Sequence, residues 1–291
     1  MGADVFAARP DLLGSAADEV LGWSLQDMCE HGPEEGLVRT DRAQPALYSV
    51  AFALWEALVV KVGELPVAAA GHSVGEYTAL AAAGVLGYFD GLRLVAARGR
   101  AMAEATRDAA GSMAAVIGAD LDIVEQVVAK MRGDGDQVWV ANVNAPGQVV
   151  VGGSGAAIDR LTKDAGEHGL RRVIPINVAG AFHTPMMAGA RRELDTALAD
   201  AAFYPGDFPV WSNLEAEPIT DPAASLSGQL TGTVRFSESL AAMHAAGVET
   251  FVHVGPGDVT AGLAKRSVKD AAVITVSSLD HIEAAVAQLT A

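Results

Sequence analysis

Apolar residues recur along this chain with two different periods. Over residues 44–60 they occupy most positions of a long helical pattern, and over residues 90–106 they form a stripe flanked by charges, so both stretches predict helices. Between them the short apolar run Val67-Ala68-Ala69-Ala70 leads into Gly71-His72-Ser73-Val74-Gly75, and an Ala-rich helical pattern occupies residues 76–83. Past Gly111 the periods shorten. Residues 113–117, 138–143, 148–151 and 173–178 predict strands. Residues 121–131, with Leu121, Val124, Val127, Val128 and Met131 on one face, predict a helix, as do residues 156–168. Asn144-Ala145-Pro146-Gly147 marks a turn between the second and third strands. The resulting order, βαββαβ, is the ferredoxin-like unit. Alternation then resumes, with helices over 191–201, 237–246 and from Asp280, and strands over 210–213 and 250–254. The expected architecture is α/β: a discontinuous body, residues 1–110 and 180–291, carrying a ferredoxin-like small domain, residues 111–179. A crevice between two such parts is the natural place for a substrate.

A strand, a tight Gly-x-Ser-x-Gly turn and a helix together predict a nucleophile elbow. The flanking Gly71 and Gly75 are expected to let the chain turn without a Cβ in the way, which leaves the Ser73 hydroxyl clear of the backbone. The Val74 N–H and the start of the next helix would then face a developing oxyanion.

Composition narrows the alternatives. Twenty Lys and Arg against 36 Asp and Glu give a net charge of −16, which argues against nucleic acid or an anionic membrane as partner. Arg171-Arg172, Arg191-Arg192 and Lys265-Arg266 with Lys269 read as solvated surface. No charge-free stretch approaches the ~20 residues that span a bilayer. The start, Met1-Gly2-Ala3-Asp4, lacks the basic and apolar blocks of a signal peptide. The single Cys29 and the absence of zinc-like Cys/His spacing leave no disulfide or metal framework, so a cytoplasmic protein is expected.

A serine hydroxyl needs a base within hydrogen-bond reach. Of seven histidines, His183 lies where the chain leaves the small domain for the body, the place from which a crevice residue should come. His72 adjoins the serine but points elsewhere on an elbow, so it reads as a structural neighbour. His168 and His281 read as surface, while His244 and His253 stay open as bases. Leu94, Arg98 and Met102 share one helical stripe, away from Arg93, Arg100 and Glu104. An arginine on an apolar stripe needs either a protein carboxylate or an acidic ligand.

Beyond these single features, several motifs occur together in order. They are Thr40-Asp41-Arg42-Ala43-Gln44-Pro45-Ala46-Leu47, Gly71-His72-Ser73-Val74-Gly75-Glu76-Tyr77, Arg98-Gly99 and Gly111-Ser112-Met113-Ala114-Ala115. Then come Asn142-Val143-Asn144-Ala145-Pro146-Gly147-Gln148-Val149-Val150, Gly180-Ala181-Phe182-His183 and Val254-Gly255-Pro256-Gly257. Nearly end to end, the chain resembles the malonyl-CoA:acyl carrier protein transacylases, the acyltransferases of fatty-acid and polyketide synthesis. The resemblance implies an α/β-hydrolase-like body with a ferredoxin-like insert, Ser73 as nucleophile, His183 as base and Arg98 as holder of the malonyl carboxylate. It further implies that the Gln229 backbone carbonyl orients the histidine and that Asn144 orders the site beside the base. Val74 and Phe182 match malonyl-selective members, so substituted malonyl groups are expected to crowd against Phe182. No bound cofactor is implied; a coenzyme A thioester is the substrate, acyl carrier protein the partner, and a monomer the expected state.

One departure stands out. The family opens with a strand and a Gly-Gln-Gly-x-Gln loop that supplies an oxyanion donor, and Met1-Gly2-Ala3-Asp4-Val5-Phe6 resembles only the segment after that loop. The expectation is therefore a natural start upstream. Two other functions compete: a serine hydrolase using Asp221 or Asp258 with His253 or His281, and a non-catalytic module that docks a carrier protein.

Overall fold

In a computed structural model, which describes residues 1–108, 111–178 and 180–290, the strands are β1 (Ala69–Ala70), β2 (Gly111–Ile117), β3 (Val138–Ala145), β4 (Gln148–Ser154), β5 (Arg172–Ile176), β6 (Val210–Trp211), β7 (Thr250–Val254) and β8 (Ala272–Val276). The fold is mixed α/β with small sheets. Pairs β1–β6 and β7–β8 are parallel, whereas β3, β4, β2 and β5 form one antiparallel sheet in that order. The expected boundaries near residues 110 and 179 touch Ala109, Ala110 and Ala179, which lie outside the described residues, as does Ala291.

The body is built on two long helices, Thr40–Val62 and Tyr88–Asp108, which pack along each other, with Ala188–Ala199 against the second. The first is long and apolar enough to cross a membrane, yet Val50, Ala53 and Leu54 are fully buried in the main core beside Leu92 and Val95. Five short helices between Ala3 and Leu37 cover this layer.

In the four-stranded sheet the period-2 alternation divides the faces. Ala114, Val116, Val149 and Val151 bury against the helices Leu121–Gly133 and Gly155–Lys163 through Val124, Val128, Met131, Ile158 and Leu161. Met113, Ala141 and Val150 face the other way and pack with Phe182. The sheet's outer strand is joined to the body by reciprocal bonds, Val143 N–H to Val234 C=O at 2.8 Å and Val234 N–H to Ala141 C=O at 2.9 Å.

Several elements differ from expectation. The helix expected to reach His168 stops at Lys163, and Asn144 and Ala145 belong to β3, leaving Pro146-Gly147 as the turn, with Gly147 at φ 70°. The strand expected over 210–213 shrinks to Val210–Trp211 because Asn213 turns to bond the elbow. Helices Pro222–Gln229 and Val259–Ser267 and strand β8 are elements that the apolar periodicity does not mark. The first carries a usable signal: Asp221 caps it by accepting the Ala224 N–H, with Pro222 in the first helical position.

Candidate active site

The site forms at the C-terminal ends of the parallel pair β1–β6, where open α/β sheets characteristically bind ligands. After Ala70 the chain turns sharply through Gly71 and enters the helix Gly75–Ala82. A Cβ on Gly71 would lie 2.0 Å from the carbonyl carbon and oxygen of Gly75, so the turn closes only with glycine there. Gly75 differs from expectation: a Cβ there would meet open space. Ser73 sits at φ 53°, a left-handed conformation that costs a non-glycine residue ~1–3 kcal/mol and must be held by its surroundings.

His183 is also left-handed, at φ 58°, in the loop between β5 and the single turn Pro185–Met187. Its Nδ1–H donates to the Gln229 carbonyl at 2.8 Å, and since a carbonyl only accepts, Nε2 is the free acceptor. Ser73 Oγ lies 2.8 Å from that Nε2, and its O–H donates there. Burial, and next the Arg98 guanidinium, push the His183 pKa from 6.5 down to about 3, so the imidazole is neutral at physiological pH.

Arg98 reaches the same hydroxyl. Its Nη2 donates to Ser73 Oγ at 3.0 Å and to Gln229 Oε1 at 2.9 Å, and Nη1 donates to Gln44 Oε1 at 2.5 Å. The residue is 1% exposed, yet among the described residues no carboxylate makes an ion pair with it, and its Nε has no partner. The Tyr77 ring lies 5.6 Å from its Cζ. Two neutral amides thus aim the charge, the buried Glu76 carboxylate acts on it without a hydrogen bond, and burial drives the guanidinium pKa downward.

The elbow's backbone is also tied. Gln229 Nε2 donates to Ser73 C=O at 3.0 Å, and the Asn213 side chain accepts the Ser73 N–H at 2.7 Å while donating to Gly71 C=O at 2.6 Å. The Val74 N–H meets no protein acceptor among the described residues and stands at the start of the helix, where its dipole favours negative charge.

Ser73, His183, Arg98 and Gln229 therefore converge. Asn144, expected beside the base to order the site, bonds the histidine next to the nucleophile. Its Oδ1 accepts from His72 Nε2 at 2.7 Å, and His72, edge-on to Phe236, is a structural neighbour of the elbow. Phe182 packs between the main core and the apolar sheet face that includes Met113. The other histidines weighed as bases are occupied locally: His244 with Val248 C=O, His253 with Gly255 C=O, Gly257 C=O and Thr260, and His281 with Ser277. Asp221 serves as a helix cap. Sequence reasoning missed Gln44 as a partner of Arg98, and it missed Asn213 and Glu76. Gln44 sits on the long helix Thr40–Val62 as one of several polar residues, and nothing in the apolar pattern singles it out.

A serine held against a neutral imidazole, a free N–H beside it and a buried cation without an ion pair among the described residues together suit an enzyme that carries an acyl group on serine. Comparison with known proteins agrees with that class. The acyl transferase domain profile matches residues 1–285, and the chain belongs to this acyltransferase family. It is 37% identical to the malonyl CoA-acyl carrier protein transacylase of Bacillus subtilis, over 99% of this chain and 92% of that protein. The crystal structure of the malonyl-CoA:acyl carrier protein transacylase of Xanthomonas oryzae pv. oryzae superposes with a TM-score of 0.92 at 35% identity, covering 98% of this chain and 92% of that one. A malonyl-transacylase in complex with a type II polyketide synthase acyl-carrier protein superposes with a TM-score of 0.92 at 32% identity, covering 98% and 94%.

Proposed function

We propose that this enzyme moves the malonyl group of malonyl-CoA to the phosphopantetheine thiol of an acyl carrier protein, through a malonyl ester on Ser73. His183 Nε2 takes the Ser73 proton as Oγ attacks the thioester carbonyl. The oxyanion is met by the Val74 N–H. The C–S bond breaks, and coenzyme A departs as a thiol with the proton returned by His183. In the second half the carrier thiol gives its proton to His183, its sulfur attacks the ester carbonyl, and Ser73 Oγ leaves and is reprotonated. Gln229 C=O steadies the imidazolium that forms in each half.

The observation that carries this reading is the Arg98 guanidinium, held without an ion pair among the described residues and 3.0 Å from the hydroxyl that would bear the acyl group. A malonyl ester places a carboxylate within reach of that fork, and guanidinium is suited to bind it by two parallel bonds. An acetyl ester offers nothing there.

The order β3-β4-β2-β5 of the antiparallel sheet supports a ferredoxin-like insert, 111–179, and the nucleophile elbow after the parallel strand β1 is what favours an α/β-hydrolase-like body, 1–110 and 180–291. Every group used in the two half-reactions comes from one chain and the thioester, which suits a monomer without resident cofactor. A free, buried Cys29 suits a cytoplasmic setting.

The test is incubation with labelled malonyl-CoA and mapping of the modified peptide. The expected result is stoichiometric label on Ser73 that persists until carrier thiol is added. Rapid release without a thiol acceptor points to a hydrolase, and no label to a docking module; either outcome overturns the reading.

A further inference from the structure

Two buried polar residues beside the elbow, Asn213 and Glu76, take no part in proton transfer or carboxylate binding. Asn213 is fully buried just beyond β6, the strand paired with the one that leads into the elbow. One face of its carboxamide spans the turn, donating to Gly71 C=O at 2.6 Å and accepting from Ser73 N–H at 2.7 Å. These two peptide groups lie on either side of His72. A single planar amide bonds both only while they face the same way, which fixes the turn at His72; with Gln229 Nε2 on the Ser73 C=O, it also holds the peptide groups on either side of Ser73 at its left-handed φ of 53°.

Asn213 is itself held at both ends of its backbone. Its N–H donates to Glu76 Oε2 at 2.7 Å, and its C=O accepts the Arg235 N–H at 2.7 Å. The other Glu76 oxygen accepts from Ser225 Oγ at 3.1 Å, and Glu76 is fully buried in the first turn of the helix Gly75–Ala82. The chain of bonds thus runs from that helix to the end of β6 and back to the turn.

We infer that Asn213, anchored by Glu76, is the positioning residue that locks the nucleophile elbow and, by occupying the Ser73 N–H, leaves the Val74 N–H as the elbow's donor to the oxyanion. This rests on the acyl-transfer reading above. Removing the carboxamide frees the two peptide groups flanking His72, lets the Ser73 N–H side of the turn rotate and swings Oγ from His183 Nε2. The loss falls on the chemical step and is the same for every acyl group, because neither residue touches the acyl chain. Arg98, by contrast, distinguishes one acyl group from another.

The experiment measures single-turnover labelling of the whole protein by radiolabelled malonyl-CoA and acetyl-CoA in Asn213→Ala, Asn213→Asp, Glu76→Ala and Glu76→Gln, with each Tm recorded. Asn213→Ala should slow acylation by about 10²-fold, the usual consequence of an ångström-scale misplacement, by the same factor for both thioesters. The malonyl-CoA concentration giving half-maximal rate should stay within about threefold of the parent, as expected when only transition-state interactions are lost. Asn213→Asp keeps the acceptor for Ser73 N–H but loses the donor to Gly71, so it should fall between. Glu76→Gln retains an oxygen for the Asn213 N–H and should recover most of the rate lost in Glu76→Ala. Acylation of Asn213→Ala at the parent rate, a loss confined to half-saturation, or unequal losses on the two thioesters overturns the inference. If Asn213→Ala does not fold, the same criteria apply to Asn213→Asp, and Glu76→Gln no faster than Glu76→Ala also overturns it. Failure of the parent protein to take label at all removes the acyl-transfer reading instead, a separate result.

Discussion

Replacing Arg98 by Ala separates carboxylate recognition from general support of the site. The guanidinium is 1% exposed and bonded only to neutral oxygens of Gln44, Gln229 and Ser73. A malonyl carboxylate entering this pocket gains charge-assisted hydrogen bonds worth ~1.5–3 kcal/mol each. Truncating one partner of such a buried pair costs ~2–5 kcal/mol, because the surviving charge is left without a counterpart. At ~1.4 kcal/mol per tenfold, kcat/KM for malonyl-CoA should fall by about 10²–10³. Acetyl-CoA loses only the bond from Arg98 to the serine hydroxyl, worth ~1 kcal/mol. It also gains a more basic His183, because Arg98 is the second cause of that residue's lowered pKa. Acetyl transfer should therefore change by less than about tenfold in either direction. The assay compares kcat/KM for the two thioesters with carrier protein as acceptor, in the parent and in Arg98→Ala. Equal losses on both would refute the reasoning and make Arg98 a structural tie between two helices.

The same geometry yields four further outcomes. With His183 at about 3, the neutral base persists as pH falls below 6.5, so the acid limb of kcat/KM should lie well below pH 6, and a limb at pH 6–7 would contradict the burial argument. Burial pushes Glu76 from 4.5 up to about 7, so the folded protein binds more protons than the unfolded chain across that window. Stability from this group is then present below about pH 4.5 and lost as pH rises through about 7, by ~3 kcal/mol at 1.36 kcal/mol per unit. Urea titrations of the parent and Glu76→Gln should show their difference drifting by that amount, and a flat difference would count against it. Gly71→Ala should abolish labelling or folding while Gly75→Ala folds normally, as judged by circular dichroism and labelling. If both fold and label alike, the close approach at Gly71 is not required. Methylmalonyl-CoA should have a lower kcat/KM than malonyl-CoA, and Phe182→Ala should narrow the gap; equal use by the parent enzyme would dismiss Phe182 as a selector.

How much of this was legible depended on whether a residue acts through local or distant neighbours. The elbow was readable because an apolar run, two glycines and a helical pattern are contiguous, and the structure places Ala69–Ala70 and Gly75–Ala82 there. The βαββαβ order was readable for the same reason, with strands and helices each recognisable by period. Arg98 betrayed itself as a charge on an apolar stripe, but spacing alone left its partner open. Gln44 and Gln229 lie 54 and 131 positions from it, and nothing local marks either as an amide that would face a guanidinium. Asn213 was hidden more deeply. Its pattern continued a strand, and only the tertiary pairing of β1 with β6 gives its side chain a turn to span. For Asn144 the resemblance gave only a place beside the base, and the tertiary path of β3 adds its partner, His72, which adjoins the nucleophile in sequence.

The choice of partners around Arg98 also explains how one pocket serves both halves of the reaction. A carboxylate in place of either glutamine would neutralise the guanidinium and compete with the acid end of the substrate. Water in place of them would leave a flexible side chain free to wander from Ser73. Amide oxygens avoid both outcomes, since they fix the fork through two bonds without adding a countercharge at its donors. The cost is a cation held in a desolvated site, visible as the downward pressure on its own pKa and on that of His183. A malonyl carboxylate relieves both at once. In the proposed reaction, binding of the acidic acyl group would therefore make His183 a stronger base where the serine proton is taken, and a neutral acyl group would give no such help.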